Sequence, residues 1–434
     1  MTLLVISPDY ASHLLPLATI ATAWRDAGHR VVVATGPATE PIVREFGFER
    51  LDLPLGRGSN ARVIRAEEQP AEESDSLRGF FDATRRGMVP TLRYQARERL
   101  TDLMWEPVDA GRRVLAAVDA VQPDAIIVDH LAFSARLALQ TAGIRYADVV
   151  LGHPSALPVA GEVYGYPPFW PTAFDPDEAE LSDLRTLCEE VSARFTAEWN
   201  RTARALRPDA PLTADAFGEH GDLVLYNYPA ALADGDGRAL PPHAFLGSTR
   251  RVEAVDDEAE RWIAATPAFA YVSFGSFLSV RGDVLRRVAE ALIEIGMPAA
   301  IATGSTPVSE LGEIPEDWLV RDYLPQVRLL SAATIAVTHG GNNSVTEAIG
   351  QGVPLLVLPF STDQFAGAAA IERTGAGAAL DPNAASVTDL VTALRTVREL
   401  AGSPLLRGIA REQQRMPGPS IAYELLSAPD PATS

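Results

Sequence analysis

Short, wholly apolar runs alternate with stretches of helical period from the first residues of this chain, and the alternation starts afresh near residue 268. LLVISP has the length and continuity of a strand buried on both faces. PLATIATAWRDAGH then carries its apolar residues on one helical face and ends in Gly-His, before a second apolar run, VVVATG, and a third segment, GFERLDLP. Strands of this kind need both faces covered by crossover helices, which predicts a parallel βαβ sheet from the first residue onward. The second start reads AFAYVSFGSF, DVLRRVAEALIEIG, MPAAIATG: strand, helix, strand. At 434 residues the chain exceeds one ordinary core. We therefore expect an α/β fold of two Rossmann-like units, residues 1–230 and 248–415. The Gly-, Asp- and Pro-rich stretch 231–247 would be the linker, and 416–434 a terminal helix and tail.

Composition removes several classes of function. The basic count of 37 is all arginine; no lysine occurs, which removes a Walker-type phosphate loop, a pyridoxal-phosphate Schiff base and any lysine nucleophile. A net charge of −20 argues against nucleic acid or an anionic membrane as partner. The single cysteine, Cys188, can form neither an internal disulfide nor a metal cluster. The Asp234–Gly–Asp236 stretch reads as a turn rather than a cation site, so no metal and no cofactor is expected. No apolar run reaches the length of a membrane span, and the first residues read as a strand rather than a leader, so a cytoplasmic location is the expectation.

Residues 319–364 carry the densest chemistry. An apolar strand at 334–338 runs into His339, Gly340 and Gly341, and a polar Asn342-Asn343-Ser344 opens a helix through Glu347. Glycines allow close backbone approach, and free N–H groups at a helix start favour an anion, so a phosphate is expected there. Glu347, two turns on, is placed to accept hydrogen bonds from ribose hydroxyls. Asp363 and Gln364, at the carboxyl end of the next strand, are placed to hold sugar hydroxyls.

This stretch resembles the donor-binding signature of the family-one nucleotide-sugar glycosyltransferases, which have the GT-B fold of two Rossmann-like domains facing across a cleft. The residues that carry the resemblance are Tyr323, Pro325, Gln326, His339, Gly341, Asn343, Ser344, Glu347, Asp363 and Gln364. Gly340 and Asn342 replace residues of the plant version, and Gly367 stands where Asn is frequent. The resemblance implies that Tyr323 stacks on the nucleobase and that Gly275, Ser276, Thr303 and Gly304 line the donor groove. It also implies that the last helix crosses back onto the first domain.

The first half resembles the same family at His13, Pro16, Gly28, His29 and Val31 to Val33, with Ser12 where the family has Gly. His13 falls in the loop after the first strand. By the resemblance it is the general base that deprotonates an acceptor hydroxyl, and Asp129, ending the strand of PDAIIVDH, is its orienting carboxylate; His130 reads as a local contact. The acidic run AEEQPAEESD reads as a solvated loop. Phe133, together with Tyr164, Tyr166, Phe169 and Trp170 of the Pro- and Gly-rich stretch 151–170, either walls an apolar acceptor pocket or packs this long loop onto the body of the protein, and the two readings weigh equally.

The reaction so implied is an inverting transfer of a glucose-type hexose from a UDP-sugar to a small, hydrophobic natural product, by a monomer or homodimer. A ribonucleotide is favoured because Glu347 needs ribose hydroxyls. The alternatives are a sugar-nucleotide epimerase on the same fold, which needs no acceptor, and a non-catalytic GT-B-like auxiliary protein.

Overall fold

In a computed structural model the described residues are 1–56, 58–60, 71–102, 104–249, 251–275, 278 and 280–428. The first unit runs β1 (Thr2–Ile6), α1 (Ala11–Asp26), β2 (Arg30–Thr35), α2 (Glu40–Glu45), β3 (Glu49–Asp52), α3 (Ala71–Arg86), α4 (Met88–Asp102), α5 (Pro107–Val121) and β4 (Ala125–Asp129). It continues with α6 (Phe133–Ala142), β5 (Ala147–Val150), α7 (Glu178–Leu206), β6 (Leu223–Tyr226), α8 (Ala230–Ala233) and β7 (His243–Phe245). The second runs α9 (Asp257–Ala265), β8 (Ala270–Ser273), α10 (Gly282–Glu294), β9 (Ala299–Ala302), β10 (Leu319–Arg321), α11 (Gln326–Leu330) and β11 (Ile335–Thr338). After it come α12 (Asn342–Gly350), β12 (Leu355–Val357), α13 (Gln364–Thr374), β13 (Gly377–Ala379), α14 (Val387–Glu399), α15 (Pro404–Arg415) and α16 (Gly418–Ser427).

Both sheets are parallel throughout, ordered β3-β2-β1-β4-β5-β6-β7 and β10-β9-β8-β11-β12-β13. Each reverses direction once, between β1 and β4 and between β8 and β11, and the crevice beyond the strand ends at such a reversal is where open α/β sheets hold ligands. The apolar runs read from the sequence are these central strands, with Leu3, Leu4, Val5, Ile6, Val272 and Val337 at 0–1% exposure, which is why they show no alternation.

Two details differ from the sequence reading. The stretch 231–247 is not a bare linker: β7 pairs with β6 in register Val224↔His243, so the first sheet gains a strand beyond residue 230. Half of the acidic run is helical, because α3 starts at Ala71, while residues 61–70 lie outside the described residues. At the other end α16 lies on α1. Tyr423 packs edge-on to Trp24 at 5.2 Å between centroids, its hydroxyl is 3.0 Å from His29 Nε2, and Ala422 joins the buried cluster around Trp24.

Candidate functional site

The register of β1 on β4, Ile6 against Val128, brings the chain leaving β1 beside the end of β4. His13 is thereby placed against Asp129, Nδ1 to Oδ2 at 2.7 Å, across 116 residues of sequence. His13 is not in the loop before the helix: it is the third residue of α1. Asp129 is fully buried; its Oδ1 accepts the Leu131 N–H at 2.9 Å and lies 3.6 Å from His130 Nδ1. Burial disfavours the imidazolium of His13, but the charge of Asp129, its hydrogen bond and the more distant charge of Asp363 outweigh this and raise the pKa above its usual value. Burial likewise works against the Asp129 carboxylate, yet His13, His130 and the Leu131 N–H hold its pKa below the usual range. An ionised Asp129 on Nδ1 fixes the tautomer that leaves Nε2 as the basic atom.

The second reversal mirrors the first. β8 lies against β11 with Ser273 opposite Thr338, and His339 follows directly. Gly340, at φ +87°, turns the chain, and Gly341 precedes the first residue of α12. A Cβ on Gly341 would lie 2.4 Å from His339 Nε2, and one on Gly275 2.8 Å from its Cε1. The imidazole is therefore wedged between two glycine backbones, and a side chain at either position would force the ring to shift. Burial pushes the His339 pKa down to about 4, against a small opposing contribution from the Ser273 backbone. It is a neutral ring at neutral pH.

Both reversals open on one cleft of about 770 Å³, large enough for a drug-sized ligand. It is lined by His13 on one side and by Tyr323, Gln326, His339, Gly341, Asn342, Asn343, Ser344 and Gln364 on the other. Tyr323 stands 53% exposed at its edge. Both polar atoms of the Asn342 amide are buried without a hydrogen-bond partner, at the helix start that faces the cleft. A buried amide left unsatisfied costs about 1–3 kcal/mol, so such a group points to a polar ligand.

Several expected residues are placed otherwise. Glu347 does not line the cleft; it is buried behind Gln326, whose Nε2 donates to its Oε2 at 2.6 Å, and Arg251, 3.3 Å from its Oε1. Burial raises its pKa despite Arg251 and Gln326. Asp363 accepts the His153 N–H of the first domain at 2.7 Å and the Thr362 hydroxyl at 2.9 Å, and does not line the cleft. Gln364 turns its Oε1 to the N–H groups of Phe360 and Ser361. Thr303 is buried behind the cleft, with its N–H on the Arg321 carbonyl. Ser276 lies outside the described residues.

The aromatic pocket is not formed. Phe133 packs at 2% exposure against Phe195, Phe217 and Tyr164, and Tyr164 stacks on Phe217 at 3.9 Å. Tyr166 and Trp170 pack on the cluster around Leu184 and Phe365, and Phe169 lies under the Arg373 guanidinium. Flexible Gly-Pro segments carry large rings to the surface to be buried, and these rings fasten the loop to the body of the protein. The apolar cleft wall beside His13 comes instead from Ala11, Leu15, Ile42, Phe46 and Leu151.

Arg251 and Glu253 were not legible. Arg251 is the one arginine among the described cleft-lining residues, and Glu253 Oε1 holds it at 3.0 Å. Neither belongs to a recognisable spacing, since Glu347, the second carboxylate on Arg251, reaches it only through the fold.

The sequence pattern described as UDP-glucoronosyl and UDP-glucosyl transferase matches residues 237–400, which contain the whole second reversal. Residues 237–400 thus carry a domain of the UDP-glucoronosyl and UDP-glucosyl transferase family. Among the chain's relatives, the L-demethylnoviosyl transferase of Streptomyces niveus is 24% identical over 99% of this chain and 98% of its own length. The Bacillus subtilis protein described as uncharacterized UDP-glucosyltransferase YojK is 31% identical, over 46% of this chain and 47% of that protein. The structure of the spinosyn rhamnosyltransferase SpnG complexed with thymidine diphosphate superposes with a TM-score of 0.66, at 19% identity, over 99% of this chain and all of that one. The two parallel-sheet domains are thus those of GT-B glycosyltransferases. No helix among the described residues is long and apolar enough to cross a membrane.

Proposed function

We propose that this glycosyltransferase moves a glucose-type hexose from a UDP-sugar to a hydroxyl of a small, largely apolar natural product, with inversion. His13 Nε2 takes the proton of the acceptor hydroxyl as that oxygen bonds to the anomeric carbon. The bond from this carbon to the β-phosphate oxygen breaks, and the nucleoside diphosphate leaves with the electron pair. Asp129 stabilises the imidazolium that results. Charge on the leaving group falls at the start of α12, where backbone N–H groups and the unsatisfied Asn342 amide take the part a metal plays elsewhere. The apolar wall of Ala11, Leu15, Ile42, Phe46 and Leu151 would hold the acceptor.

One observation carries this reading: a carboxylate-paired imidazole and an open helix N-terminus face the same cleft from opposite domains. The likeness to an L-demethylnoviosyl transferase and to a spinosyn rhamnosyltransferase supports the acceptor class. The test is nucleoside diphosphate release from UDP-glucose with a panel of macrolide, polyketide and phenolic acceptors, wild type against His13→Ala. A loss of roughly 10²–10⁴-fold is expected; acceptor-independent turnover would favour an epimerase or hydrolase instead.

A second donor reading has its own support. With Glu347 covered by Arg251 and Gln326, a 2′-hydroxyl loses its expected partner, which favours a deoxythymidine donor; a neighbouring structure also carries thymidine diphosphate. Calorimetric titration with UDP and with dTDP separates the two, and tenfold tighter dTDP would remove the UDP assignment.

A further inference from the structure

Pro16 lies inside α1, six residues from its start, where proline is unfavourable. In an α-helix the N–H of residue 16 would bond the carbonyl of Ser12, four residues back. Proline has no N–H, and its ring crowds that same carbonyl. Ser12 is the residue immediately before His13, and its carbonyl accepts a hydrogen bond from the other domain: Asn343 Nδ2 donates to it at 3.1 Å. Asn343 is the second residue of α12, next to Asn342 and in the turn that faces the cleft. Along the same seam Leu15, Pro16 and Thr19 of α1 face Asn343, Thr346 and Glu347 of α12.

We propose that Pro16 is a positioning residue: by withholding an amide hydrogen it leaves the Ser12 carbonyl to Asn343, so the turn expected to hold the donor also holds the helical turn that carries His13. The inference rests on His13 being the base. It gives the proline that follows the histidine by three residues a purpose beyond ending or bending a helix. Any other residue there would offer the Ser12 carbonyl an N–H within α1, drawing it towards the helix axis in competition with the Asn343 amide. The link between the two halves of the site would then weaken, while neither the His13 to Asp129 pair nor the α12 start is touched.

The test compares Pro16→Ala with a variant carrying lactic acid at position 16, introduced by nonsense suppression, which places an ester oxygen where the amide N–H would be. Pro16→Ala should fold at least as stably as wild type, since alanine favours helix. It should bind UDP within about twofold of wild type, and lose roughly 2- to 10-fold in kcat, the worth of one neutral hydrogen bond. The lactic acid variant, lacking the N–H, should recover most of that kcat. Wild-type kcat in Pro16→Ala would overturn the proposal, as would equal slowing in the lactic acid variant, which would assign the effect to the ring. His13→Ala in the same assay reports on the base alone: unchanged turnover there removes the general-base reading, whereas its loss beside a normal Pro16→Ala removes only the positioning role.

Discussion

Two histidines, His13 and His339, stand at the two strand-order reversals of this molecule, His13 on the helix after β1, the earlier strand of its pair, and His339 directly after β11, the later strand of its pair. Their surroundings make them different chemical groups. His13 keeps 22% of its side chain exposed and faces a buried carboxylate, so its pKa is raised. His339 is wedged between Gly275 and Gly341 without a carboxylate partner, and burial leaves it neutral with a pKa of about 4. The same side chain at the reversal of the same kind of sheet can exchange a proton in one half and serves as an uncharged ring in the other. The deciding factor is the strand alongside: β4 ends in Asp129, whereas β8 ends in Ser273.

The sharpest way to break this contrast is to remove each ring. His13→Ala should lower kcat by roughly 10²–10⁴-fold with little change in nucleotide affinity. His339→Ala should act chiefly through donor affinity, read as KM, and equal effects of the two on kcat would end the distinction. Next in size is Asp129→Asn. It removes the charge and the carboxylate hydrogen bond that do most to raise the His13 pKa and leaves burial against only the more distant Asp363, so the ascending limb of the rate against pH should move to lower pH, with a kcat loss of roughly 10²-fold or more from tautomer misplacement. An unmoved limb would mean that another group sets the profile.

Smaller is the effect of Gly341→Ala, whose methyl would meet the His339 ring. Nucleotide affinity should fall roughly tenfold, about 1.4 kcal/mol, by calorimetry with UDP, while the His13 limb stays in place. Separate from catalysis is a pH effect on stability. His339 has a folded-state pKa of about 4 against 6.5 unfolded, so its contribution is complete above 6.5 and is lost as pH falls towards 4. His13, raised, contributes below 6.5 and loses this as pH rises through its folded value. His339→Gln should therefore flatten the acid side of the denaturation profile, and His13→Gln the neutral side.

Much of this architecture was open to reading because its signals are local. Continuous apolar runs marked the central strands, since parallel strands covered on both faces have no polar side to show. The turn from His339 to Ser344 was legible because glycines and a polar helix start impose the same backbone wherever they occur. Glu347 and Asp363 show where this stops: nothing nearby in sequence says that Arg251 covers the one or that the His153 N–H engages the other. Tyr164 and Phe133 stop short for a related reason. An aromatic ring gains as much by packing on Phe217 as by lining a pocket, and composition cannot tell the two apart.

The amino-acid order by itself determined the strands, the helices and the two turns, because each depends on residues within one or two turns of one another. Only the tertiary structure decided which histidine meets a carboxylate, which acid is covered by Arg251, and that the carbonyl freed by Pro16 finds Asn343. Those outcomes depend on strand order and domain packing, which join groups hundreds of residues apart. The free energy of a buried charge or an open carbonyl is set by the neighbour it meets in space.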